Sequence, residues 1–137
     1  MTEQSWGRVR DCMKTNVTEV DGRMDVLSAM RVMKKVGATS LIVKRRDEGD
    51  EFGLLLFSDI AKKVSGRNRA PERVNVYEIM AKPVLTVRPD MHIRYCARMF
   101  ETFGIGHAPV EEDGKIIGIV SYYRLVLYGL KDLIDDE

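Results

Sequence analysis

Four side chains of this 137-residue chain are of types that ligate metals or act as soft nucleophiles: Cys12, Cys96, His92 and His107. Their spacing contains none of the close pairings used by zinc sites, so they read as two buried thiols and two ordinary histidines, with no metal ligand assigned. Ser, His and acidic residues form no nucleophile motif, and Gly104-Ile105-Gly106 lacks the third glycine of a dinucleotide loop. No catalytic residue is assigned. The remaining chemistry is that of binding. Asp59, beside Ser58 at the head of an apolar run, can be a first-turn acid favoured by a helix dipole. Arg124 either reaches a phosphate or stays solvated or salt-bridged, and Arg67, Arg69 and Arg73 either clamp a polyphosphate or are merely solvated.

Composition bounds the rest. The charge is 22 − 21 = +1, and Tyr122-Tyr123-Arg124 is too little of a basic aromatic face for nucleic acid. With 45% apolar and 31% charged residues the chain can bury a core. Two cysteines are too few for a disulfide framework, the start of the chain is polar, and the longest aliphatic and aromatic run is Leu54 to Phe57. That run is far below the ~18 residues of a membrane helix. A cytoplasmic, reducing setting without membrane insertion is therefore expected.

These residues are positioned by an internal repeat, the first feature to look for in a chain of this length. Sliding the sequence by 67 aligns Met13 with Met80, Val17 with Val84, Val20 with Val87, Met24 with Met91, Arg31 with Arg98, Gly37 with Gly104 and Val43 with Val110. The offset then drops to 65, aligning Gly53 with Gly118, so the first copy carries two extra residues in the intervening loop. An insertion is cheap at a hairpin tip.

Each copy has one grammar. Val17 to Val20 reads as a short strand, Asp25 as a helix cap, and Val26, Ala29, Met30, Met33 and Val36 as the apolar face of a helix stopped by Gly37. Leu41 to Val43 and Phe52 to Phe57 read as strands around a charged loop, with Ser58 capping a second helix through Ile60 and Val64. In the second copy, Pro89 and Asp90 precede the helix and Gly104 stops it. Asp113-Gly114 joins the strands His107 to Val110 and Lys115 to Ser121. The expectation is an α+β fold of two pseudo-symmetric β-α-β-β-α repeats packed through their sheets, residues 9–66 and 74–134, with a linker at 67–73. Units of this size are marginal alone, so the copies should share a core.

This succession resembles the cystathionine β-synthase (CBS) domains, which usually occur as tandem pairs, over about Val9 to Leu130. The resemblance rests on a methionine before the first strand (Met13, Met80), a helix ending in glycine, and an apolar strand ending in valine (Leu41-Ile42-Val43, Ala108-Pro109-Val110). Gly118-Ile119-Val120-Ser121 is similar to the family's Gly-Ile-Val-Thr/Ser signature, and Asp59-Ile60 to its closing Asp-Leu. The resemblance implies a regulatory module without catalytic activity or obligatory cofactor. Its cleft between repeats takes an adenosine-containing ligand such as AMP, ADP, ATP or S-adenosylmethionine, and its output passes to an effector protein. It also implies a homodimer, formed by the helices after each strand pair.

Carried onto this chain, the resemblance implies one site of Asp59, Ser58, Leu54 and Thr39 with Pro83, Val84, Ile105 and His107, and a related site of Asn16, Val17 and Ala38 with Ile119, Ser121 and Arg124. The sugar-binding signature is split. The first copy keeps the aspartate but has Leu56 where the family often has Thr or Ser; the second keeps Ser121 but has Arg124 in the place of the aspartate. That split leaves an alternative open: a ligand-free dimerisation or partner-docking module with degenerate nucleotide sites. His107 can equally pack or cap a strand.

Overall fold

Val26, Ala29 and Met33 are buried on one face of a helix that begins after Asp25, whose carboxylate accepts from the Ser28 amide at 3.0 Å and the Ser28 hydroxyl at 2.6 Å. The helix stops at Gly37, whose left-handed φ of +70° suits a residue without a Cβ. The computed structural model describes residues 7–134. In chain order its elements are α1 (Val9–Cys12), β1 (Glu19–Val20), α2 (Val26–Val36), β2 (Ser40–Val43), β3 (Gly53–Leu56), α3 (Phe57–Lys63), α4 (Val76–Ile79), α5 (Ile93–Phe103), β4 (His107–Glu112), β5 (Lys115–Ser121), α6 (Tyr122–Gly129) and α7 (Lys131–Ile134). Two short 3-10 turns, Ser65–Arg67 and Pro71–Arg73, lie at the two ends of the segment read as the linker.

The chain forms two compact units. A central unit comprises Thr18–Val84; a terminal unit comprises the chain up to Val17 together with Leu85 onward. In the central unit β1 lies parallel to β2, and β2 antiparallel to β3, around a core that includes Leu41, Val43, Leu55, Ile60, Val76 and Ile79. In the terminal unit β4 and β5 form an antiparallel ribbon packed with Val9, Ile93, Phe100 and Leu125.

The units exchange the repeats' leading segments. Val26 N–H donates to Val74 O at 2.7 Å and Val76 N–H to Met24 O at 2.8 Å, so the segment leading the second copy is stitched to the helix start of the first. Val9 N–H to Met91 O (2.8 Å) and Ile93 N–H to Gly7 O (3.1 Å) repeat this in the terminal unit with the roles reversed. The aligned glycines mark the same exchange. A Cβ on Gly53 would stand 2.6 Å from Met80 Sδ, and one on Gly118 would stand 2.7 Å from Met13 Sδ and 2.9 Å from the Lys14 carbonyl. Gly118→Ala is therefore expected to destabilise by about 1–3 kcal/mol, the ordinary cost of overpacking. Gly53→Ala should cost less, because its one contact under 3 Å is with the flexible Met80 side chain, and Val43 Cβ, at 3.1 Å, has only a few tenths of an ångström to give. Urea denaturation of both variants checks the order; an equal loss in the two would refute it.

Four local expectations are corrected. Ser58 does not cap α3 but lies in its first turn. The chain becomes helical two residues earlier because the Phe57 amide is held by Thr39 O at 2.8 Å, and the Leu56 amide is taken by Asp59 Oδ2 at 3.2 Å. The strand read from Val17 to Val20 pairs only over Glu19–Val20, and that read from Phe52 to Phe57 spans Gly53–Leu56. The matching first strand of the second copy is reduced to a single parallel bridge, Val87 with Val110. In the first copy Ile42 and Lys44 both donate to this pairing, at 2.9 Å each. Pro109 occupies the place of Ile42 and has no N–H, so only the Glu111 amide donates in this direction, to Val87 O at 2.9 Å. The turn Asp113-Gly114 has positive φ at both residues, as its dipeptide predicts.

Candidate functional site

Thr39, Leu54, Ser58, Asp59, Pro83 and Val84 all lie in the central unit. Leu54 and Ala81 exchange two backbone hydrogen bonds of 2.9 Å, laying the segment that holds Pro83 and Val84 along the edge of β3. The bond from Phe57 N–H to Thr39 O ties the start of α3 to the residue ahead of β2. Leu54 is buried, Thr39, Ser58 and Pro83 are exposed, and Asp59 and Val84 are half-buried. Ala38 belongs to this unit as well.

Asp59 does the work of a helix-start acid and keeps capacity beyond it. Its Oδ2 accepts from Leu56, while Oδ1 stands 3.9 Å from Lys63 Nζ, too far for a hydrogen bond. A carboxylate has about four lone-pair directions. Acceptor positions therefore remain for donors such as paired hydroxyls.

The terminal unit builds the pseudo-symmetric cluster from Asn16, Val17, Ile119, Ser121 and Arg124. Lys14 and Ile119 exchange hydrogen bonds of 2.8 and 2.9 Å, as Ala81 and Leu54 do, and Tyr122 N–H donates to Gly106 O at 3.1 Å as Phe57 does to Thr39. Ser121 Oγ caps α6, accepting from the Arg124 amide at 3.4 Å. Arg124 turns its guanidinium to the end of α1, donating from Nη1 to Cys12 O at 3.1 Å. It offers no acceptor. Ile105 and His107 also lie in this unit, His107 pairing with Ser121 across the β4–β5 ladder. Burial lowers the His107 pKa, favouring the neutral ring.

Two features were not read from the sequence. A shallow groove of about 390 Å³ in the terminal unit is lined by Asp11, Cys12, Tyr123, Arg124, Leu127, Tyr128 and Lys131. In the central unit Asp50, whose side chain is only 8% exposed, accepts from Lys82 Nζ at 2.7 Å and from Arg46 Nε at 3.0 Å. Those bonds, with the Arg46 side chain contributing most, hold the Asp50 carboxyl well below the usual carboxylate range. Charged residues in a loop carry no pairing signal in sequence. Burial pushes the Cys12 thiol up to about 11 and Cys96 to about 12, so neither is a ready thiolate. Among the described residues no group of three or more His, Cys, Asp or Glu could hold a metal ion, and no helix is long and apolar enough to cross a membrane.

Two repeats of one α+β unit, each ending in a strand pair and a helix whose first turn carries Asp59 or Arg124, define a class of tandem α+β repeat folds. A family model of the CBS domain matches residues 76–131. The hexameric CBS-CP12 protein from bloom-forming cyanobacteria superposes with a TM-score of 0.87 at 33% identity, covering 93% of this chain and 73% of that one. The chain belongs to the CBS domain family, as a tandem pair. It is 34% identical over 113 residues to a homoserine O-acetyltransferase of Methanosalsum zhilinae, covering 82% of this chain and 22% of that enzyme. A CBS domain pair solved with 5′-methylthioadenosine and S-adenosyl-L-methionine has the same fold, with a TM-score of 0.72 and 21% identity over 94% of this chain and 96% of that one. The chain spans between 22% and 58% of the length of the curated relatives it matches.

Proposed function

We propose that this chain is a regulatory module that binds an adenosine-containing ligand at the Asp59 cluster and passes the binding event to a partner protein, without catalysing a reaction. The carrying observation is the Asp59 carboxylate, held by Leu56 at the head of α3 with acceptor positions to spare. A ribose presents two adjacent hydroxyl donors, which such a carboxylate can accept together. The apolar Leu54, Pro83 and Val84 suit a purine face, and Thr39 and Ser58 add hydroxyls. The adenosine-type ligands of the CBS pair described above support the ligand class. The acetyltransferase relative, in which the matched stretch is a fifth of the enzyme, supports an accessory role. Calorimetric titration of the protein with AMP, ADP, ATP and S-adenosylmethionine tests the reading: no heat of binding with any of the four refutes it.

Association with a second copy is part of the proposal. On α6 and α7, Tyr123 is 72% exposed, Val126 50% and Leu133 68%, an apolar surface that solvated monomers seldom leave bare. Light scattering at tens of micromolar is expected to give twice the 15.6 kDa chain mass. A mass equal to one chain, independent of concentration, refutes the dimer. The same surface favours the second reading, a docking module without ligand, for the Arg124 cluster, where a guanidinium replaces the ribose acceptor.

A further inference from the structure

We infer that Asp50 and Lys82 form a positioning clamp, in which the longer hairpin of the first copy holds the segment 81–84 against β3 and so sets one wall of the Asp59 cluster. The inference rests on the reading of that cluster as a ligand site and adds to it residues that touch no ligand themselves. The β2–β3 loop reaches the segment through the 2.7 Å bond from Lys82 Nζ to Asp50 Oδ2. Asp50 is itself fixed from within the loop, since Oδ2 accepts from the Arg46 amide at 2.9 Å and from Nε at 3.0 Å. Exposed ion pairs contribute little, but this carboxylate is 8% exposed and its lysine 21%, so water has limited direct access to the pair.

Lys82 stands between two anchors of different kind. Before it, Ala81 exchanges its two backbone bonds with Leu54; after it come Pro83 and Val84, the apolar wall. No backbone hydrogen bond joins residues 82–84 to β3 as Ala81 is joined, so a side chain is what remains to hold them there. The second copy is built without this device. Its hairpin is two residues shorter, and the place of Lys82 is taken by Thr15, which carries no charge. The clamp thus serves only the cluster that kept the aspartate. This makes the two clusters unequal in rigidity as well as in chemistry.

Hydrogen exchange of the full chain at neutral pH, compared among wild type, Lys82→Met, Asp50→Asn and Lys82→Arg, tests the clamp without any ligand. Peptides covering 80–85 are expected to exchange about tenfold faster in Lys82→Met and Asp50→Asn and as wild type in Lys82→Arg, while those covering 13–17 do not change. Tenfold corresponds to about 1.4 kcal/mol, within the range for a hydrogen bond to a charged group. Lys82→Met leaves the Arg46–Asp50 pair intact, so it decides the matter should Asp50→Asn unfold. Unchanged exchange over 80–85 in Lys82→Met, or an equal rise across the chain, overturns the clamp. With AMP as probe, the dissociation constant is expected to rise about tenfold in Lys82→Met and to recover in Lys82→Arg. Faster local exchange with unaltered AMP affinity overturns the positioning role. Failure of wild type to bind any adenosine compound refutes the ligand reading and leaves the clamp to be judged by exchange alone.

Discussion

Phe100→Ala is expected to lower the unfolding free energy by about 3–5 kcal/mol, the usual range for deleting a buried aromatic side chain. Phe100 is fully buried among Val9, Cys96, Val110, Val120 and Leu125, where no small movement refills the space. Its ring also meets Tyr122 edge to face, with centroids 5.2 Å apart and an interplanar angle of 80°. Such pairs contribute on the order of 0.5–1.5 kcal/mol beyond burial. Tyr122 opens α6, so its loss of support propagates to the turn that carries Arg124. Against a typical total of about 5–15 kcal/mol, a loss of this size takes much of the stability of the domain. Urea denaturation followed by circular dichroism measures it. A change below about 1 kcal/mol would show that Phe100 does not organise the terminal core.

Asp59→Ala is expected to weaken the best adenosine ligand by about tenfold to a hundredfold, the effect of losing ~1.4–2.8 kcal/mol. Hydrogen bonds accepted by a charged group contribute about 1.5–3 kcal/mol each, and no neighbouring side chain of the cluster supplies a second carboxylate. The substitution also frees the Leu56 amide, a cap worth about 1 kcal/mol of stability, so the affinities are compared well below the melting range of the variant. Arg124→Ala should have a smaller effect and only on phosphorylated ligands, because the guanidinium is already engaged with the Cys12 carbonyl. Titration calorimetry on wild type and both variants gives the ranking. If Asp59→Ala binds as wild type while Arg124→Ala loses adenosine itself, the ligand site belongs to the other cluster.

How much of this was legible beforehand differs from residue to residue. The cap at Asp25, the helix stops at Gly37 and Gly104, and the Asp113-Gly114 turn depend on contacts within a few residues and were read correctly. Ser58 was misread for a reason outside its own neighbourhood. The start of α3 is set by the Thr39 carbonyl, 18 positions back from Phe57, which a local capping pattern does not register. The shortened pairing of Val87 could have been read from Pro109, since a missing N–H is visible in sequence once the two strands are known to be neighbours. The Asp50–Lys82 pair could not, because 32 residues separate two charges of ordinary kind.

The sequence by itself determined that the chain is a tandem repeat of one α+β grammar and that one copy kept an aspartate where the other has an arginine. Periodicity and residue identity are properties of the chain and survive without coordinates. Only the tertiary structure decided which contacts enforce the meeting of the two copies that the family resemblance implied. Met13 packs on Gly118 and Met80 on Gly53, and the segments leading each repeat hydrogen-bond to the helix start and strand of the other copy, so Pro83 and Val84 fall in one unit with Asp59 while Asn16 and Val17 fall in one unit with Arg124. Copies of one grammar present similar partners, and pairing within a copy or across copies satisfies the same hydrogen bonds. Periodicity alone is blind to that choice, which is enforced by the hydrogen bonds of the leading segments and by close packing at two glycines.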